Sequence, residues 1–225
     1  MKYSFLRRAL LLILILSPII YSQSIGLSIG SSYYYIAKDF NYSYLDSPLK
    51  NILLQYNFNL NDNFQLSFVS GYGWTSYNYH EVDFGPQFSS YNEYDVQSKG
   101  FPIETELKYQ HYLTADSIFE PTIGIGIGYC NFKSTIRNVN IYPNQDGSDL
   151  TTKGFSQYIS FGLNVHISNK ITSSIEFKKL ILSNIRITGS LHGLGYPYPY
   201  TFDEDYSSST GLLDVGITLG VTYNL

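Results

Sequence analysis

The sequence predicts an all-β protein: an eight-stranded, antiparallel, up-and-down transmembrane β-barrel. Three observations predict it. Apolar and polar residues alternate along segment after segment, the period of a strand whose two faces meet different environments. The connections between those segments alternate between short and long. Several segments reach the roughly 10 residues that a tilted strand needs to cross a bilayer, and beyond residue 22 no stretch has the unbroken apolar length of a membrane helix.

The chain opens MKYSFLRRALLLILILSPIIYSQS, with Lys2, Arg7 and Arg8 ahead of an apolar run from Ala9 to Ile20. That run is shorter than the roughly 20 residues of a spanning helix and has the layout of a secretory signal peptide. Ser22 is the small residue before the expected cleavage point, which makes 1–22 the signal peptide and 23–225 the barrel domain. No cysteine lies near that point to carry a lipid anchor.

The leader holds three of the 14 basic residues and none of the 18 acidic ones, leaving 11 basic against 18 acidic. Such a chain is a poor partner for nucleic acid. The single cysteine, Cys130, excludes an intramolecular disulfide and a cysteine-based zinc site. The 23 tyrosines and 14 phenylalanines favour strands, and only 14% of residues are charged.

Strands are expected at 24–35, 50–60, 64–77, 100–112, 118–132, 154–168, 171–187 and 211–225. The last is the clearest: odd positions from Leu213 to Leu225 are apolar, while the even ones are Asp, Gly, Thr or Asn. From Phe155 to Ile167 the odd positions are again apolar except Gln157, opposite Ser156, Tyr158, Ser160, Gly162, Asn164 and His166.

The fifth strand contains PTIGIGIGYC, in which Gly124, Gly126 and Gly128 alternate with Ile123, Ile125 and Ile127. A dinucleotide fingerprint needs a third glycine where Tyr129 stands, and no Gly-Lys-Ser/Thr follows. The glycines therefore read as the lumen-facing half of a strand, leaving room for bulkier groups from its neighbours.

NDN (61–63), LTADS (113–117) and SNK (168–170) are short turns; the long connections are 36–49, 78–99, 133–153 and 188–210. An even number of strands with all long loops at one end is the layout of a barrel whose short turns and termini face the periplasm.

Alternation alone does not say which face points inward. The polar face carries Gln55, Asn57, Asn59, Glu104, Glu106, Lys108, Glu176, Lys178 and Asp214. Charges of both signs are costly in a dry core unless paired, whereas the lumen of a membrane barrel is commonly polar. Eight strands enclose a space only just wide enough for side chains to fill. Gln55, Glu104, Glu106, Lys108, Glu176, Lys178 and Asp214 are accordingly expected to form a polar plug. Tyr72, Trp74, Tyr109, Tyr129 and Tyr223 fall on the apolar face near strand ends, where interfacial aromatic girdles sit; ordinary core aromatics of a soluble β-protein are the alternative.

FPIETELKY (101–109), the PxxGxGxGY pattern of PTIGIGIGY (121–129) and the terminal VGITLGVTYNL together resemble the small outer-membrane β-barrel proteins related to the OmpA membrane domain, OmpX and OmpW. The resemblance spans about residues 24 to 225. It implies export to the cell outer membrane, with outer-membrane lipids and lipopolysaccharide as surroundings. It also implies a C-terminal signal, here including Tyr223 and Leu225, read by the barrel-assembly machinery. The family's last residue is usually aromatic, and here it is Leu225. The peptidoglycan-binding domain of full-length OmpA-type proteins is not expected, since the chain stops at the last strand.

His166 and Ser168 in VHISN are similar to the His-x-Ser-Asn of outer-membrane lipid A 3-O-deacylases, with Glu176 as a candidate orienting acid. They have lumen-facing parity and adjoin a periplasmic turn, away from outer-leaflet lipid, so turn chemistry is the simpler reading. Asp203, Glu204 and Asp205, like His80, Glu81 and Asp83, lack the spacing and glycine of a calcium loop, and no metal or cofactor is expected. In GYPYPYTF, alternating Pro and Tyr stiffens an aromatic loop, and Tyr196, Tyr198 and Tyr200 could contact an extracellular protein or surface ligand; packing on neighbouring loops or lipopolysaccharide is the alternative.

The expected function is structural, interactive or adhesive, acting through long external loops, and no enzyme activity is expected. A narrow pore for small solutes and a lipid A-modifying enzyme are the alternatives.

Overall fold

A computed structural model describes residues 22–32, 49–84, 89–111, 117–138, 148–191, 200–209 and 215–225. These form β1 (Ser22–Ser32), β2 (Leu49–Asn59), β3 (Phe64–Phe84), β4 (Ser89–Gln110), β5 (Phe119–Asn138), β6 (Ser148–His166), β7 (Ile171–Leu191), β8 (Tyr200–Ser209) and β9 (Val215–Asn224). Each strand up to β7 pairs antiparallel with the next, and β9 closes the sheet by pairing with both β7 and β1. β8 and β9 are two parts of one stave. β9 pairs with the lower half of β7 and β8 with its upper half, so the barrel has eight staves.

The stagger is large. A hydrogen-bonded row starting at Ser22, at the foot of β1, passes through Asn59, Gln65, Lys108, Gly124, Ser160, Lys178 and Gly216. It arrives beside Ile217, which pairs with Ser31 near the top of β1. Such a climb requires tilted strands and sets the width of the lumen.

Three points differ from expectation. The segments 78–99, 133–153 and 188–210, read as loops, are largely strand: β3 runs to Phe84, β4 begins at Ser89, β5 reaches Asn138, and β7 reaches Leu191. Their polarity was misleading because strands rising beyond the apolar belt need no greasy face, while Tyr, Thr and Val still favour extended backbone. Second, the register of β6 with β7 shifts between Gln157 and Tyr158, which pair with Leu182 and Leu180 and leave Ile181 extra. This bulge reverses the inward and outward alternation of β7 above Ile181. Third, the stave expected at 211–225 is continued outward by β8. Residues 1–21, 33–48, 112–116 and 210–214, with Asp214 and most of the leader, lie outside the described residues.

Two short turns are built as their sequences dictate. Asn61 Oδ1 accepts the backbone N–H groups of Asn63 (2.9 Å) and Phe64 (2.8 Å). Ser168 Oγ accepts those of Lys170 (3.3 Å) and Ile171 (3.2 Å).

The outside of the barrel is apolar and the inside polar at its centre. Ile125 is 63% exposed, with Leu27, Ile29, Ile123, Ile127, Leu219 and Val221 similarly turned out, whereas Glu106 is 1% exposed. Gly124 and Gly128 are buried between β4 and β6, facing Lys108 and Ser160, and Glu104 and Ser156, respectively. A Cβ on Gly126 would run into the ring of Tyr158, its partner on β6. The ring occupies the space the missing side chain leaves.

Replacing Gly126 by Leu should therefore block folding, since overpacking alone typically costs about 1–3 kcal/mol. The fraction of chain that migrates anomalously before boiling should fall sharply, and adding Tyr158→Ser should recover part of it. A Gly126→Leu chain with normal heat-modifiability would contradict this packing.

Candidate functional site

Five of the six buried charged residues described project from β4 and β7. The sheet alternation turns Glu104, Glu106 and Lys108 inward from β4, and Glu176 and Lys178 inward from β7. Two strands separate β4 from β7 in the sheet, and β5, between β4 and β6, contributes glycine at the facing positions. The long side chains consequently meet over a floor without bulk.

Lys178 Nζ donates to Glu104 Oε2 and lies 3.3 Å from Glu176 Oε1 and 3.9 Å from Glu106 Oε2. Lys108 Nζ donates to Glu176 Oε2 and lies 3.5 Å from Glu106 Oε2. Tyr158 donates its hydroxyl to Glu104 Oε2 (3.2 Å), Ser160 donates to Glu106 Oε1, and Lys178 Nζ sits 4.8 Å from the Tyr158 ring centroid. Three carboxylates thus share two ammoniums, all buried. Each cation faces more than one anion, which compensates desolvation that one isolated pair would meet less well.

Gln55 is half-buried on β2 and donates to Asn57 Oδ1 (2.7 Å), and Asn57 donates to Ser24 (3.1 Å). This pair lines another wall of the lumen.

Toward the other end, away from the short turns, the lumen holds no buried charge among the described residues and mixes apolar side chains with Asn51, Thr75, Ser98 and Thr152. Leu49, Cys130, Phe132 and Leu180 form a buried apolar cluster, with Leu53, Val69, Val96 and Leu150 also inward. Above the expected polar plug lies a second, uncharged tier in which apolar side chains predominate. With no Cβ on Gly73 and Gly100, space is left for the Phe132 ring.

At the end of the barrel that carries the short turns, His166 Nε2 lies 3.0 Å from Glu120 Oε2 and Nδ1 lies 3.0 Å from Thr172 Oγ1, while Asn164 donates to Glu120 Oε1 (2.8 Å). Sequence reasoning missed Glu120, although it shares the even parity of the lumen-facing glycines. The arrangement separates the parts of the proposed deacylase-like constellation. Ser168 serves turn amides, Glu176 serves the two lysines, and the histidine ring bridges Thr172 and Glu120.

Outside the belt, Asp203 on β8 takes a two-pronged hydrogen bond from Arg186 on β7, with both contacts at 2.9 Å. That bond holds the Asp203 carboxyl below its ordinary value. The small stabilisation is present at neutral pH and is lost as pH falls through the depressed value. The acidic triplet thus lies along a strand, and its first member is engaged with a cation. Among the described residues no group of His, Cys, Asp and Glu could hold a metal. His80, Glu81 and Asp83 fall on β3. Tyr200 opens β8, and Tyr196 and Tyr198 lie outside the described residues.

The last strand turns Ile217, Leu219, Val221, Tyr223 and Leu225 outward, and the Leu225 N–H donates to the Gln23 carbonyl (2.9 Å). Tyr223 pairs with Ile25 on β1 and Ile171 on β7.

No family model matches the sequence, and no curated protein matches it. Among solved structures, the outer membrane protein OprG from Pseudomonas aeruginosa is similar over 92% of this chain and 97% of its own, with a TM-score of 0.50 and 13% identity. The chain has the fold of the small outer-membrane β-barrels. A major outer membrane protein from Thermus thermophilus aligns over 91% of this chain and 100% of its own (TM-score 0.48, 9% identity). The N-terminal β-barrel domain of Pseudomonas aeruginosa OprF aligns over 90% and 97% (TM-score 0.43, 13% identity).

Replacing Lys178 by Met removes the ammonium that faces three carboxylates. Leaving buried charge uncompensated costs roughly 3–5 kcal/mol, so the urea midpoint of the detergent-folded barrel should drop markedly. Adding Glu104→Gln should restore part of the loss. An unchanged midpoint in Lys178→Met would show that the cluster does not stabilise the lumen.

Proposed function

We propose that this chain is an integral outer-membrane barrel with a closed lumen, exported by the leader at 1–22 and acting through its outer rim as a structural or adhesive surface. One observation carries the reading: the polarity is inverted, with isoleucine and leucine outside and a bonded ionic cluster inside. A soluble protein has no use for a continuous apolar exterior, whereas a bilayer requires one. Aromatic pairs support the placement at both edges of the belt. Tyr72 stacks on Trp74 (centroids 6.0 Å apart) toward the outer end, and Phe64 packs edge-on against Tyr109 (5.4 Å) near the periplasmic end.

The lumen supports closure rather than conduction. Gln55, Glu104, Glu106, Lys108, Glu176 and Lys178 act as a plug, reinforced by the apolar tier around Phe132. Asp214 lies outside the described residues, and only its sequence parity puts it in the proposed plug. The two tiers resist a permeant solute differently, since one is ionic and the other offers no buried charge among its described residues.

The outer rim is where function resides. β3 and β4 rise together to Phe84 and Ser89, and β7 and β8 do so up to Tyr200. Contact with an extracellular protein or surface ligand is assigned to these outer ends and to Tyr196, Tyr198 and Tyr200, of which Tyr196 and Tyr198 lie outside the described residues. Tyr223 and Leu225, at the foot of the last stave, are the part read by the barrel-assembly machinery.

Cell fractionation should place the protein in the outer membrane, and its gel band should shift on heating. A soluble periplasmic band without a shift would sink this reading. In planar bilayers the purified barrel should give no discrete conductance steps; regular steps would replace the plug with a narrow pore.

A further inference from the structure

Two polar side chains interrupt the apolar outer face of β6 and β7. On β6 successive outward positions read Phe161, Ile159, Gln157, Phe155, and on β7 they read Ile175, Phe177, Lys179, Ile181. Buried neighbours fix both directions. Ser156 and Tyr158 point inward on either side of Gln157, as do Lys178 and Leu180 on either side of Lys179. An amide and an ammonium are thus turned toward hydrocarbon, each with apolar residues above and below it.

The register brings the two together. Lys179 pairs with Ile159, one outward position from Gln157 along β6, and the rows climb from β6 to β7, so amide and ammonium stand at nearly one level. Their other partners in the sheet are Ile127, Leu182 and Val215, all apolar. The bulge at Ile181 adjoins them, so the ladder is interrupted at the same place. Among the described residues neither side chain has a hydrogen bond or an ion pair.

A lysine facing lipid destabilises a barrel according to its depth, and an amide that leaves water needs a new partner. Lipid headgroups answer only half of this. The long stem of Lys179 can carry its ammonium upward, but Gln157 is too short to follow past Phe155. A second copy of the chain answers both halves, because the patch is complementary to itself. The lysine only donates, and the glutamine carbonyl accepts. A twofold axis along the membrane normal leaves every level unchanged and sets β6 of one copy against β7 of the other. Each Gln157 then accepts from Lys179 of the partner subunit, with Phe155, Phe177 and Ile181 around the two bonds.

We propose that the outward face of β6 and β7 around the bulge is a twofold interface between two copies of this chain within the membrane, closed by reciprocal hydrogen bonds between Lys179 and Gln157. The assignment rests on the outer-membrane reading, because only in hydrocarbon do these two groups lack water.

Sedimentation equilibrium of the full barrel in density-matched zwitterionic micelles should show a dimer. Gln157→Lys sets ammonium against ammonium and should weaken it at least tenfold, and adding Lys179→Gln exchanges donor and acceptor and should restore it. Gln157→Leu with Lys179→Leu makes the face wholly apolar, so that chain should fold as well as the parent and yet dimerise at least tenfold more weakly. A parent that stays monomeric overturns the interface, and so does a dimer unmoved by Gln157→Lys or by the leucine pair, or a folded exchange variant without recovery. Association that appears only when anionic lipid is added assigns Lys179 to a headgroup and overturns it as well. Heat-modifiability checks that each variant is folded, and the leucine pair decides if the exchange variant is not. A monomer that fractionates with the outer membrane loses only this interface; a protein absent from that membrane loses the proposed function itself.

Discussion

Every other feature depends on closure of the backbone hydrogen-bond network. In hydrocarbon no water can satisfy a stray N–H or C=O, and each one left open costs several kcal/mol. The pairing of β1 with β9 removes the last open edge, from Ser24 opposite Asn224 to Ser31 opposite Ile217. Once closed with this stagger, the sheet has a fixed circumference, and among the described residues its interior is filled by side chains of the eight staves.

That narrowness explains the division of labour among strands. Where β4 sends in Glu104, Glu106 and Lys108, β5 must send in Gly128, Gly126 and Gly124 at the paired positions. A second bulky strand beside the first would leave no room for Glu176 and Lys178 to arrive from β7. The same rule recurs higher up, where Phe132 on β5 lies over Gly73 and Gly100 from β3 and β4. Bulk and its absence are thus distributed strand by strand, and charge sits where each of two ammoniums reaches at least two of three carboxylates.

Much of this was legible in the sequence. Period-two alternation gave the strands and the inward set, because a slip of one residue exchanges the two faces completely. Partners were not legible. Lys178 meets Glu104 only because of the stagger, a property of the closed sheet that no single segment encodes. The bulge at Ile181 was likewise hidden: its signature is a broken phase in LILSNIRIT, and outside the membrane both phases are acceptable. The outer ribbons were missed for the opposite reason. Strands in water need no apolar face, so their tyrosines, asparagines and serines have the composition of a loop. Glu120 was readable and overlooked, since its parity matched the glycines four and more residues later.

Lysine shows how far position decides chemistry in this barrel. Lys108 and Lys178 are buried and cannot leave their carboxylates without exposing the lumen to uncompensated charge. Lys99, Lys133 and Lys153 face outward on long flexible stems and are exposed. Alternation separates the two groups, for even positions on β4 point into the lumen and odd ones to the outside. Height separates them again, since the buried set lies within the apolar belt and the exposed set just past it. The inner lysines hold the wall in place through their carboxylates, whereas the outer ones are in no salt bridge among the described residues.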